Sequence, residues 1–238
     1  MRKYEIFGLI PARGGSKGIP RKNMVMLAGK PLIQYTFESA LESSMLTRII
    51  LSTDDEEIAE FGKKFVEVPF IRPKRLASDS TPMIQVVRHA LGYLKSGEQY
   101  EPDYIAILQP TSPLRKSHHI DEAIKLLMRK KADSVVSVCV VPGQYNPFHV
   151  RKIVNGRLLP FLENAEEYTS RQKLPRVYTR NGVIYCFKRE TLIKKNSLYG
   201  SYCCAYVMER EVSINIDSPT DLLLAEIILG KNKSNNDI

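Results

Sequence analysis

No apolar run in the 238-residue chain approaches the roughly 18 residues that a membrane-crossing helix needs, which excludes a helical span. The opening, "MRKYEIFGLIP", places basic residues ahead of an apolar run. That run is short and passes directly into a glycine loop, without a small-residue cleavage site, so a buried first strand is expected and not a signal peptide. Cysteines number four (Cys139, Cys186, Cys203, Cys204) and form no CxxC pair. Most lie in apolar, strand-like stretches, which predicts buried free thiols in a reducing cytoplasm and argues against a disulfide frame or a zinc site. The four histidines have no metal-ligand spacing, and no internal repeat is present. The formal charge of +9 raises the question of a nucleic acid partner. The basic residues are dispersed, however, and no nucleic-acid module is legible, so none is expected. An anionic small substrate and a solvated surface account for the charge.

What is present is alternation. Apolar, β-rich runs at residues 4–11, 48–54, 65–71, 103–110 and 133–141 predict strands. Between them, "PLIQYTFESALESS" (31–44), "DDEEIAEFGKKF", "MIQVVRHALGYLKSG" and "HIDEAIKLLMRKK" have helical spacing. Pro31 suits a first helical turn, the second helix has acids early and lysines late, and Gly97 closes the third. Such alternation, with continuously apolar strands, predicts an α/β fold: a mostly parallel central sheet with helices on both faces. Ligands of such sheets bind beyond the carboxyl ends of the strands. One domain over residues 1–238 is expected.

The pattern changes after Pro142. Residues 143–180 are turn-rich and polar, with a hairpin expected around Asn155-Gly156. So long an irregular stretch, still carrying apolar and aromatic residues, reads as an excursion that needs a partner surface. "NGVIYCF" and "CAYVMERE" then read as returning strands. "SPTDLLLAEIIL" reads as a helix capped by Ser218 with Pro219 first, followed by a polar tail, "GKNKSNNDI".

The densest chemistry is "PARGGSKGIPRKN", residues 11–23, which holds three glycines and four cations but no acid. It fits neither GxxxxGK[ST] nor GxGxxG, so it is neither of the standard phosphate loops. Glycines still let backbone N–H groups turn toward an anion. Interleaved Arg13, Lys17, Arg21 and Lys22 would neutralise a polyphosphate. The position directly after a buried first strand favours that reading over a solvated loop.

Taken with "LAGKPLIQYT", "LSTDDEEIA", "RPKRLASD", "LQPTSPLR", "SRQKLP", "RNGVIYCF" and "SINIDSPTDL", the loop resembles the nonulosonate cytidylyltransferases, the CMP-sialic acid synthetases and their bacterial relatives. The motifs keep their order over nearly the whole chain. The resemblance implies a nucleotide-diphospho-sugar transferase-like fold. It also implies a Mg²⁺-dependent transfer from CTP to a nonulosonic acid sugar, with N-acetylneuraminate or a close relative as acceptor and pyrophosphate released. Legionaminate is the near alternative. The Kdo synthetases are similar at the glycine loop but usually carry an aspartate where this chain has "LQPTSP".

By the same resemblance, Arg13, Ser16, Lys17, Lys22 and Asn23 would hold CTP, with Arg13 and Lys22 as the main catalytic cations, while Arg21 is left solvated. Arg72, in "RPKRLASD", would reach the cytosine; the competing reading is a basic turn before a helix capped by Asp79 or Ser80. Gln109, Arg171, Asn181 and Tyr185 would contact the sugar, Arg171 suiting its carboxylate. Arg115 is read two ways, as part of the family motif or as a structural residue holding an acidic partner. The 143–180 excursion would cross to a second subunit, giving a homodimer with shared sites. Relatives usually carry two aspartates, one residue apart, for Mg²⁺; here they are Asn215 and Asp217, of which only Asp217 keeps a carboxylate. No side chain is singled out as general base.

Overall fold

In the computed structural model, residues 4–162 and 174–234 are described. In chain order, β1 (Ile6–Pro11) leads through the glycine loop to a small ribbon of β2 (Met26–Leu27) and β3 (Lys30–Pro31). Next come α1 (Leu32–Leu41), β4 (Arg48–Ser52), α2 (Glu56–Gly62), α3 (Met83–Glu98), β5 (Tyr104–Ile107), α4 (Ser117–Lys130) and β6 (Ser134–Val140). A hairpin of β7 (Arg151–Val154) and β8 (Arg157–Pro160) precedes β9 (Tyr178–Lys188), α5 (Arg189–Lys195), β10 (Cys203–Met208) and α6 (Pro219–Ser234).

Six strands form one sheet in the order β10-β6-β9-β5-β1-β4. β1 pairs in parallel with both β4 and β5, and β10 in parallel with β6, while β9 runs antiparallel to both of its neighbours. The continuous apolar run of β1 follows from burial on both faces. Side chains alternate across a strand. Ile6 and Ile10 therefore pack against α1, α2 and α4 through Ile33, Phe37, Ile58, Ile120 and Leu127. Phe7 and Leu9 face the other way, onto Val87, Leu91 and Leu94 of α3 and Leu192 of α5. Two helical layers thus sandwich the sheet.

Several local expectations change. Residues 65–71 are not a strand; they touch the sheet only at the single bridges Ile50–Glu67 and Thr53–Ile71. Pro31 caps α1 from outside the helix. Lys63 and Lys64 follow α2, whose N-cap Asp55 accepts a hydrogen bond from the Ile58 N–H at 2.9 Å. α3 continues past Gly97 and closes on Gln99, whose φ of 54° is left-handed. α5 has no counterpart in the sequence reading, and helix α6 extends into the expected polar tail. Cys139 and Cys186 are buried, but Cys203 is exposed and Cys204 half-buried on the edge strand β10. The hairpin is as expected: Asn155 and Gly156 both have positive φ, 50° and 76°, as a two-residue turn between twisted strands requires. The excursion rejoins the sheet at Tyr178, slightly before residue 180. At α6, the Ser218 N–H donates to Asp221 Oδ2 at 2.7 Å while the Asp221 N–H donates back to Ser218 Oγ at 3.3 Å, a reciprocal cap.

Arg115 is 2% exposed and holds the loop after β5 in place. Its guanidinium donates to Val183 O (2.9 Å), Gln109 O (3.1 Å) and Thr36 Oγ1 (2.7 Å). The structural reading of Arg115 therefore fits, but not the acidic partner: among the described residues its partners are carbonyls and hydroxyls. Burial pushes its pKa down to about 9, which leaves it charged at neutral pH. Arg115→Met keeps an apolar stem and removes every donor. It is expected to lower the free energy of unfolding by about 3 kcal/mol in a urea titration; an unchanged midpoint would show that the loop is held by other contacts.

Candidate functional site

The glycine loop leaves the carboxyl end of β1, and its shape is set by neighbours. The Gly14 N–H donates to Asp54 Oδ1 at 3.1 Å, and Asn23 Nδ2 donates to Arg13 O at 2.8 Å. A Cβ on Gly14 would strike the Asp55 carboxylate, and one on Gly18 would strike the Asp217 carbonyl oxygen. Glycine at these two places allows close approach. The loop is therefore pressed between the end of β4 and the segment ahead of α6.

Each loop cation has a carboxylate. Lys22 Nζ donates to Asp217 Oδ1 and to Ile216 O, both at 2.8 Å. Asp79 bridges Arg13 through Oδ1 and Lys17 through Oδ2, the latter at 2.9 Å. Arg72 lies beneath, 3% exposed, with Nη2 3.5 Å from Asp54 Oδ1 and Nε without a partner. Burial lowers its pKa against the opposing pull of Asp54. Arg21 turns away to Glu57 at 2.7 Å.

These residues border a cavity of about 290 Å³. Arg13, Ser16, Lys22, Asn23, Arg72, Gln109, Asn215 and Asp217 line it, together with Ser78 and Asp79. Lys17 stays at the rim, reaching the cavity only through Asp79. A second cavity, about 470 Å³, is lined by Gln109, Asn181, Tyr185 and Asn215, with Arg180, Gly182 and Ser213. Gln109 and Asn215 line both. A Cβ on Gly182, whose φ is +76°, would come within 3.1 Å of Gln109 Oε1, so the wall between the cavities is tightly packed. A wider depression of about 600 Å³ lies beside Thr47 and Arg48, at the amino end of β4. It is at the wrong end of the sheet for a ligand under the crevice rule.

The two cavities differ in chemistry. The first presents cations and hydroxyls. The second presents amides, the Tyr185 phenol and one cation, Arg180, whose Nη1 donates to the Tyr199 hydroxyl at 2.7 Å. Burial raises the Tyr185 pKa, keeping it a neutral donor. Asn181 is 6% exposed, and its amide is committed to Ser137 Oγ (2.6 Å) and Ser213 Oγ (2.9 Å). It shapes the wall more than it offers a free group. Arg171 lies outside the described residues. Asn215 Nδ2 donates to Asp217, while its Oδ1 is buried without a partner at the junction of the cavities. Among the described residues, no group of three or more His, Cys, Asp or Glu could hold a metal. The lining carboxylates are Asp79 and Asp217, and no described histidine lines either cavity.

Three residues were missed by sequence reasoning. Asp54 had a signal: it follows a strand that neighbours β1. Asp79 was read only as a helix cap, yet α3 starts after Pro82 with no side-chain cap. Arg180 sits beside the expected Asn181 but carried no pattern of its own.

The cytidylyltransferase family model matches residues 7–226. An N-acylneuraminate cytidylyltransferase of Escherichia coli O18:K1:H7 is 34% identical over 232 residues, which are 96% of this chain and 53% of the relative. A CMP-N,N'-diacetyllegionaminic acid synthase of Legionella pneumophila is also 34% identical, over 96% of this chain and 97% of its own. The chain thus spans about half the length of the first relative and nearly all of the second. The solved structure of CMP:2-keto-3-deoxy-manno-octonic acid synthetase complexed with CTP superposes with a TM-score of 0.72 at 18% identity, covering 96% of this chain and 99% of that one. At that identity the likeness is one of fold.

Gly18→Ala is expected to push the loop off Asp217 and weaken binding of inorganic triphosphate roughly ten-fold, in keeping with the strain of overpacking. A Cβ at Gly92, within α3, meets nothing within 4 Å. Gly92→Ala should leave that binding unchanged and raise stability by about 0.5–1 kcal/mol. Calorimetric titration of both variants, with thermal melts, checks the pair.

Proposed function

The chain belongs to the cytidylyltransferase family, and on that premise we propose that it transfers the cytidylyl group of CTP to a nonulosonic acid sugar. The observation that carries this reading is the meeting of a cationic cavity and an amide-lined cavity at Gln109 and Asn215, beside Lys22 and Asp217. A triphosphate in the first and a sugar in the second would bring the α-phosphorus and the anomeric hydroxyl together there. The hydroxyl oxygen forms the new bond to the α-phosphorus. The bond from that phosphorus to the bridging oxygen breaks, pyrophosphate leaves with its electron pair, and the hydroxyl proton passes to solvent.

The residues supply positioning and charge, which is most of what phosphoryl-type transfer asks of a protein. Lys22 and Arg13 face the phosphates. Arg72, Ser78 and the backbone around them form the floor for cytosine. Gln109 and Tyr185 orient the sugar, and Arg180, together with Arg171, suits its carboxylate. Asp217 and the unpartnered Asn215 oxygen fit Mg²⁺, which accepts one or two carboxylates and takes its remaining ligands from phosphates and water. When bound, the ion would offset charge on the phosphates. The acceptor we favour is N-acetylneuraminate or a close relative, with legionaminate as the other arm of the test. A substrate such as CTP and the free thiols both suit a cytoplasmic enzyme.

We also propose a homodimer. β7 and β8 form a two-stranded unit with Ile153 75% and Leu158 68% exposed, and such a hairpin is marginal without a covering surface. A second copy would cover it and complete the sugar cavity. Light scattering should give twice the 27.1 kDa chain mass; a species of 27.1 kDa alone would remove the shared site.

The direct assay is pyrophosphate release from CTP across sialic, legionaminic and pseudaminic acids and Kdo. Release with a nonulosonate and Mg²⁺ supports the reading, and silence across the panel sinks it. Asp217→Ala should lower turnover by roughly 100-fold or more with the melting curve preserved, as expected on losing charge stabilisation at the reacting centre. Asn215→Asp should keep or raise activity. Arg180→Ala should raise KM for the sugar while leaving KM for CTP in place.

A further inference from the structure

Arg13 and Lys17 come from the glycine loop, and both are held by one carboxylate from another segment, that of Asp79. Each oxygen takes one cation, as two oxygens of a phosphate group would. Asp79 also lines the nucleotide cavity. The neighbouring cations, Lys17 first and then Arg13, hold its carboxyl below the usual range, so it is ionised at any working pH.

The segment carrying Asp79 has few other ties. It runs between a 3-10 turn, Lys74–Leu76, and the start of α3 at Met83. The side chains of Ser78, Ser80 and Thr81 bond one another, and Thr81 bonds Arg75 O. The Thr81 N–H donates to Ser78 O. Every one of these contacts is local. Among the described residues, the two ion pairs of Asp79 are what tie residues 78–81 to the glycine loop. The other two acids differ: Asp54 is anchored beneath the loop by the Gly14 N–H, and Asp217 sits against Asn215 and Lys22.

We propose that Asp79 is an internal counter-anion that competes with the β- and γ-phosphates for Arg13 and Lys17, weakening CTP and product pyrophosphate alike and thereby helping to expel pyrophosphate. The proposal rests on the nucleotide reading of this cavity. A ligand with β- and γ-phosphates must displace the carboxylate. CMP and a CMP-sugar lack those groups and need not. When pyrophosphate leaves, the carboxylate returns and screens two cations that would otherwise repel each other across the open cavity. Because Asp79 shares its segment with Ser78, arrival of phosphate also frees the stretch that borders the base.

The test is calorimetric titration of the full chain and its Asp79→Asn variant with CTP, pyrophosphate, inorganic triphosphate and CMP. Asp79→Asn should tighten the first three by a common factor of roughly three to thirty, the range of two exposed ion pairs. CMP should change by less than about two-fold. The inhibition constant of pyrophosphate in the release assay should fall by the same factor. Glu57→Gln removes an equal charge near the loop but beside Arg21, outside the cavity, and should change nothing; it controls for a general field. Unchanged affinities in Asp79→Asn overturn the proposal. Weaker CTP binding does so too, because it would place Asp79 among the groups that hold the nucleotide. An equal gain for CMP or in Glu57→Gln reduces the effect to net charge and also overturns it. Native protein that binds triphosphate but not CTP would sink the nucleotide reading, while the triphosphate arm would still decide the exchange.

Discussion

The organising constraint is repulsion among cations that the chain concentrates at the carboxyl end of β1. Arg13, Lys17, Lys22 and Arg72 converge there, and such a group holds its place only when each charge is offset. The offsets come from three separate parts of the fold. Asp54 follows the strand next to β1, Asp79 lies on the turn before α3, and Asp217 lies just before α6. Two of these acids also shape the loop: the Asp54 carboxylate takes the Gly14 N–H, and the Asp217 backbone carbonyl sits where a Gly18 side chain would be. Charge neutralisation and loop geometry are therefore one arrangement. On the function proposed above, an arriving polyphosphate would meet cations already aimed, the preorganisation that electrostatic catalysis requires.

The second cavity depends on Arg115. Its guanidinium joins the carbonyl of Gln109, the carbonyl of Val183 and the hydroxyl of Thr36. Those atoms belong to the loop after β5, to β9 and to α1. The Gln109 side chain, at the wall between the cavities, is thereby held to the strand that carries Asn181 and Tyr185. Arg115 is buried and lines neither cavity itself, yet through Gln109 it ties together the two halves of the site.

Much of this was legible from periodicity and spacing. The continuous apolar runs of β1, β5 and β6 and the caps at Ser218 and at Asn155-Gly156 stand where local chemistry places them. The glycine loop declared an anion, and eight motifs in order gave it a family. The rest depends on contacts distant in sequence. The reversed direction of β9 leaves no local trace, because an antiparallel strand buried between neighbours is as apolar as a parallel one. Residues 65–71 have strand-like composition but only two bridges to the sheet, so composition alone could not show that the ladder stops. One of the two readings of Arg115 gave its charge an acid because cations in sequence invite one; carbonyl oxygens, present at every residue, give no such signal. Asp79 looked like a cap because it precedes a helix, and only the fold shows which cations it faces.

The Lys22–Asp217 contact joins residues 195 positions apart. A ribosome would deliver the glycine loop first and Asp217 only after the 195 positions that separate it from Lys22. Until then Lys22 would stand without that partner, open to any polyanion nearby, nucleic acid included. The site closes only when these two distant segments meet, so affinity for a polyanion ligand can serve as a report that the fold has formed as far as Asp217.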